Sequence, residues 1–150
     1  MEYVPRLIIV HHSAAKAPSP QFAAINQWHK QRGFPLSTLG FYVGYHAVIE
    51  GDGTLRAARI DTERDADTLG HNFDSLSVCL VGNFDTTTPT TAQIGALGAL
   101  LSAWCKAWSI DASRIYPHRK FQAKSCYGAK LSDTWAREVY LKHELASLLP

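Results

Sequence analysis

An α/β fold, one domain with a twisted central mixed β-sheet flanked by about three main helices, is what the order of apolar patterns predicts. Three observations carry that expectation. Leu7-Ile8-Ile9-Val10 and Leu76 to Val81 are short, nearly continuous apolar runs, as in strands covered on both faces. Three other segments repeat their apolar residues at helical spacing and alternate with the strands. No internal repeat or linker divides the 150 residues, so residues 1–150 read as a single domain.

The first strand, Leu7 to Val10, ends at the polar His11-His12-Ser13, and Ala14 to Pro18 reads as loop. Ser19 as N-cap and Pro20 in the first turn open a helix with Phe22, Ile25 and Trp28 on its inner face, stopping near Gly33. Gly44 to Ile49 is the second strand, which Asp52-Gly53 turns back into Thr54-Leu55. Ile60 to Asn72 is polar and irregular. After the Leu76–Val81 strand, Thr90 and Gln93 form a capping box for a helix whose buried stripe is Ile94, Leu97, Leu101, Trp104 and Trp108. A short strand near Arg114–Tyr116 and an irregular loop from Pro117 to Lys130 follow. A last helix from Asp133 turns Trp135, Val139, Leu145 and Leu149 inward.

Composition narrows the function classes. With 46% hydrophobic and 19% charged residues the chain is of ordinary globular make-up, which excludes disorder, fibres and repeat arrays. No apolar run approaches the ~18 residues of a membrane span. Met1 to Arg6 lacks the basic and apolar regions of a secretory signal, so synthesis in the cytoplasm without a signal peptide is expected. Cys79, Cys105 and Cys126 are odd in number and form no close pair, which favours reduced thiols. Charge is uneven: Glu50–Asp85 holds eight acids against three arginines, and Arg114–Lys142 seven bases against two acids. This reads as two solvated faces, or as a basic C-terminal third weakly attracted to an anionic envelope polymer. Aromatics are not interleaved with the bases, so no nucleic-acid partner is expected. The protein is expected to act as a monomer.

Seven histidines are many for this length. His29 and His143 fall on helix positions that read as exposed. His11 and His12 follow a buried strand, where α/β sheets collect ligands. His118 and Cys126 share one loop, eight residues apart, with Lys124 between them. Two closely spaced N/S donors plus a distant one suit a zinc ion held by three side chains with one position left open. On spacing alone, a strand-end histidine, a surface histidine and a buried thiol remain the plainer reading, and a Cys126–His118 nucleophile and base is admissible too. Cys79 and Cys105 read as core packing.

At these residues the sequence resembles the zinc-dependent N-acetylmuramoyl-L-alanine amidases of the type 2, peptidoglycan-recognition-protein family, and in particular small single-domain phage lysozymes. The motifs run in order: Ile9-Val10-His11-His12-Ser13-Ala14, Trp28-His29-Lys30, Gly44-Tyr45-His46, Gly70-His71-Asn72 with Ser75 and Cys79-Leu80-Val81-Gly82, and His118 through Lys124-Ser125-Cys126. The resemblance implies that His11, His118 and Cys126 bind Zn2+, that Tyr45 and Lys124 assist catalysis, and that the zinc lies in a groove at the sheet edge. Two imidazoles and one thiolate would leave the ion a net positive charge, able to bring the pKa of water down to ~7. The reaction implied is hydrolysis of the amide between the lactyl group of N-acetylmuramic acid and L-alanine in peptidoglycan. A phage or prophage endolysin, made in the host cytoplasm and acting on the wall after release, fits the resemblance; a non-catalytic peptidoglycan-binding module is the alternative.

Adjacent strand residues face opposite ways, so Tyr45 rather than His46 is assigned the catalytic role, and His12 a rim role beside His11. His71, Asn72, His46 and His12 are taken as substrate-binding candidates; Asn72 and His71 could equally cap their own loop. Two departures from the family pattern stand out. Tyr127-Gly128 follows the cysteine where proline is common, and Asp67 stands where a histidine often does. Neither is expected to touch a metal ligand.

Overall fold

Ile8, Ile9 and Val10 are wholly buried because their strand lies inside the sheet with a parallel neighbour on each side. The computed structural model describes residues 3–68 and 70–149; Met1 and Glu2, part of the segment read for a leader, lie outside them. The strands are β1 (Leu7–His12), β2 (Ala47–Ile49), β3 (Leu55–Ala57), β4 (Ser75–Leu80) and β5 (Ile115–Pro117). The helices are α1 (Phe22–Gln31), α2 (Thr91–Trp108) and α3 (Trp135–Ser147), with single 3-10 turns at Ala112–Arg114 and His118–Lys120. Sheet order is β3-β2-β4-β1-β5, parallel except for the β2–β3 hairpin, so the sheet is mixed. Among the described residues no helix is long and apolar enough to cross a membrane.

Side chains alternate along β4 and feed two cores. Val78 and Leu80 join Ile8, Val10, Leu97 and Leu101 on the face covered by α2 and α3. Cys79 and the following Val81 join Val48, Phe22 and Ile25 under α1. The Thr90–Gln93 capping box is present in both directions, and Gln93 then reaches further, donating its amide to Val81 O at 2.8 Å.

Several helix faces differ from the expected stripes. The first helix starts at Phe22, not Pro20, and its N-terminus is held by a carboxylate from elsewhere. Glu50, at the end of β2 and 3% exposed, accepts the N–H groups of Gln21 at 2.8 Å and Phe22 at 3.0 Å and the Ser19 hydroxyl at 3.2 Å. An anion there satisfies free helix donors and complements the helix dipole. His29, not Trp28, completes the inner face after Phe22 and Ile25, and Trp28 is left exposed. On α2 the line Gln93–Leu97–Leu101–Trp104 is buried and Ile94, one residue round the helix, is exposed.

On α3 the buried residues are Ala136 and Val139, whereas Leu145 and Leu149 are 64% and 68% exposed. At 100° per residue, Leu145 lies on the side opposite Ala136. His143 is half-buried instead of exposed because Gly98 lets α3 approach α2, and a Cβ on Gly98 would lie 2.9 Å from that of His143.

Candidate metal centre

β1 and β5 run parallel with Val10 beside Pro117, so their C-terminal ends carry His11, His12 and His118 to one rim. The loop beyond β5 folds back on itself. Cys126 O accepts Arg119 N–H at 2.6 Å and Cys126 Sγ accepts His12 N–H at 3.3 Å. His11, His118 and Cys126, all buried, then present one ligand atom each, and these atoms lie within 4.8 Å of one another. The two imidazole centroids are 4.4 Å apart, and the Tyr45 ring stands 4.9 Å from His11. The triad opens into a pocket of about 240 Å³ that Tyr45, His29, Asp67, His12 and Lys124 also line. A wider trench of about 860 Å³ continues from it past the shared Lys124 and Ser125.

These residues fit a zinc ion. His118 Nε2 is buried with no hydrogen-bond partner, and two nitrogen donors with one sulfur donor suit zinc. Burial, reinforced by the charge of His11, lowers the His118 pKa to about 4 and keeps that ring neutral, the form a metal requires. Burial also lowers His12, and it lowers His29 to about 4 with help from Arg32. At His11 burial acts downward too, but the Asp67 carboxylate and then Cys126 outweigh it and raise the ring to about 10. Burial, then Cys79, pushes the Tyr45 phenol well up, so it stays a hydrogen-bond donor.

Of the residues singled out in the sequence, His11, His12, Tyr45, His118, Lys124 and Cys126 come together here. His46, His71 and Asn72 do not line this pocket. The strand expected from Gly44 begins only at Ala47. Gly44 is wedged where a Cβ would meet the Phe34 ring at 2.8 Å, and its N–H donates to His29 Nδ1 at 2.8 Å. The chain therefore bends through residues 44–46, which sends Tyr45 to the α1 side and His46 towards Trp104. His46 is 1% exposed, accepts Ser77 N–H at 3.2 Å and lies 2.8 Å from Glu63 O. His71 sits 3.1 Å from the Asp74 carboxylate and packs on Phe121 at 4.3 Å. Asn72 accepts Thr68 N–H at 3.2 Å and so closes its own loop.

Asp67 requires a correction: its Oδ1 lies 3.1 Å from His11 Nε2, with the two side chains only 3% and 2% exposed. Tyr127, the other departure, points away from the groove into the core, wholly buried. Its hydroxyl donates to Ser132 O at 2.5 Å and accepts Ala136 N–H at 3.3 Å, tying the ligand loop to the start of α3. Tyr127→Phe should therefore cost about 1–3 kcal/mol of stability and leave zinc affinity nearly unchanged. Denaturant unfolding and zinc titration of the same preparation would check both halves.

Arg119, read from sequence only as part of a basic flank, fastens the same loop. It donates to Asp133 at 2.6 Å, Gly128 O at 2.9 Å and Leu131 O at 2.5 Å. Arg114 and Arg137 likewise donate to backbone carbonyls, so lysines carry most of the flank's free charge.

Comparison with known proteins places the chain in a family. An endolysin of Enterobacteria phage T3 is 33% identical over 137 residues, covering 87% of this chain and 85% of the phage protein. Peptidoglycan-recognition protein SC2 of Drosophila melanogaster is 29% identical over 133 residues, covering 85% of this chain and 72% of the fly protein. Among solved structures, the N-acetylmuramoyl-L-alanine amidase LysC from Clostridium intestinale URNW superposes with a TM-score of 0.78 at 26% identity, covering 95% of this chain and 87% of that one. The sequence model of the N-acetylmuramoyl-L-alanine amidase family matches residues 1–129, and the chain belongs to that family.

Proposed function

We propose that this peptidoglycan amidase is zinc-dependent and cleaves the amide between the lactyl group of N-acetylmuramic acid and L-alanine of the stem peptide. In this reading residues 1–150 form one catalytic unit, a phage or prophage endolysin made in the cytoplasm and acting on the cell wall after release. The observation that carries it is the buried His11–His118–Cys126 triad opening onto a pocket shared with Tyr45 and Lys124.

Zinc, when bound, supplies Lewis acidity for activating water and polarising the amide carbonyl. The chain's own residues do the rest. Cys126 is held from behind by the His12 N–H, and Tyr45, which keeps its phenolic proton, hydrogen-bonds the attacking water or donates to the developing oxyanion. Lys124 lies on an exposed edge of the pocket, where a bound substrate would cover it and strengthen its charge on that oxyanion. The trench beyond Lys124 has room for the stem peptide.

Lys124→Ala should accordingly lower kcat about 10²- to 10³-fold with zinc affinity unchanged. Steady-state kinetics beside a zinc competition titration would check this, and a variant of full kcat would remove Lys124 from the mechanism.

The direct test is to incubate purified protein with muropeptide, with and without chelator and zinc add-back, and to read products by mass. Free stem peptide that disappears with chelator and returns with zinc is the expected result. Intact muropeptide from folded, zinc-loaded protein would favour a recognition module, a reading kept in view by the similarity to the fly recognition protein. Chelator-insensitive cleavage abolished by thiol alkylation would favour Cys126 as nucleophile instead.

A further inference from the structure

Asp67 belongs to none of the roles described so far, yet it is the acidic side chain in contact with a candidate ligand. Its surroundings hold it in place. Oδ1 accepts the Thr68 hydroxyl at 2.8 Å, and Oδ2 accepts the Ser77 hydroxyl from β4. The contact with His11 Nε2 at 3.1 Å is electrostatic, off the axis of a well-aligned hydrogen bond, and both side chains are buried.

We infer that Asp67 is a positioning residue for the metal centre: its carboxylate keeps the proton of His11 on Nε2 and thereby presents Nδ1 as the ligand atom. The reasoning is electrostatic. A nitrogen lone pair facing a carboxylate oxygen at 3.1 Å in a buried site would be repelled, whereas an N–H there is attracted. A neutral imidazole with hydrogen on Nε2 has its lone pair on Nδ1. A carboxylate on the outer nitrogen also raises the basicity of a ligating imidazole and fixes its ring.

Asp67 therefore sets which nitrogen of His11 ligates, although it sits in an irregular loop 56 positions away. The inference rests on the zinc reading above, since it concerns how one of the three ligands is aimed. The neighbouring Asp65 provides a built-in control. Its side chain is buried as well, and it accepts the Ser75 hydroxyl at 2.7 Å, so it shares the structural burden of this loop.

The test compares zinc affinity, by competition with a chromophoric chelator, in wild type, Asp67→Asn and Asp65→Asn. Long-range nitrogen–proton spectra of the zinc-loaded wild type report the His11 tautomer. The expected results are an Nε2–H tautomer and a zinc Kd raised about 10- to 100-fold in Asp67→Asn. Asp65→Asn should stay within about twofold of wild type, because its effect is on stability and not on a ligand. A wild-type Kd in Asp67→Asn, or a proton on Nδ1 of zinc-loaded His11, would overturn the inference while leaving zinc binding intact. Wild type that takes up no zinc would remove the metal reading itself. Should Asp67→Asn not fold, the tautomer measured on wild type still decides.

Discussion

Cys126→Ser should fold as wild type does, take up little zinc at micromolar concentrations, and release stem peptide about 10³-fold more slowly or worse. A loss of that size corresponds to the several kcal/mol of transition-state stabilisation a metal supplies. The fold should survive because the hydroxyl can still accept the His12 N–H that Sγ accepts at 3.3 Å, and serine adds no volume. Zinc should be lost because the thiolate contributes the centre's one negative ligand charge. An alcohol does not ionise near neutral pH, which leaves two imidazoles and a weak neutral donor. The checks are metal content after dialysis against zinc, the unfolding midpoint of the metal-free protein, and product mass. A fully active, metal-free variant would refute the ligand assignment. A variant that keeps zinc but loses all activity would return Cys126 to the role of nucleophile.

The parts of this molecule legible in its sequence are those determined locally or by burial on all sides. β1 and β4 were readable because strands covered on both faces show as unbroken apolar runs, and the Thr90–Gln93 cap because its partners are three residues apart. The triad is different in kind. His11 meets Cys126 only through the parallel pairing of β1 with β5, and residue spacing alone does not single that site out. Contacts between irregular segments and distant elements were not readable at all. Asp67 on His11 and Glu50 on the α1 terminus have no local signature, because each acid satisfies ring or backbone groups far along the chain, and Arg119 has none because its carbonyl partners lie in an irregular loop with no repeating spacing. His29 was misread for a related reason: its ring is buried by Gly44 and Phe34, which lie beyond the helix end. The outward leucines of α3 show the opposite error, apolar residues given a core that the helix geometry does not offer them.

The ligand loop also depends on a backbone that only glycine accommodates, and Gly128→Ala should destabilise the protein by more than about 4 kcal/mol, a value reserved for exceptional substitutions. Gly128 has φ +122°, outside the range L side chains adopt readily, and an added Cβ would sit 2.4 Å from Phe84 Cβ and 2.6 Å from Phe84 C. Neither obstacle is a flexible tip that could swing aside. The overlap falls where the loop is fixed to the segment after β4: Lys130 N–H donates to Phe84 O at 3.0 Å and Ala129 N–H to Asp85 at 2.8 Å. Phe84 N–H in turn donates to His12 Nδ1 at 3.0 Å, so any separation is felt at the rim that carries Cys126. Gly33→Ala isolates the conformational part, since Gly33 has φ +82° but nothing within 4 Å of an added Cβ. It should cost only about 1–2 kcal/mol. Denaturant unfolding of both variants separates strain from overlap. If Gly128→Ala cost no more than Gly33→Ala and still bound zinc normally, the loop would not need its close seat on Phe84, and the placement of Cys126 would rest on the Arg119, Tyr127 and His12 contacts instead.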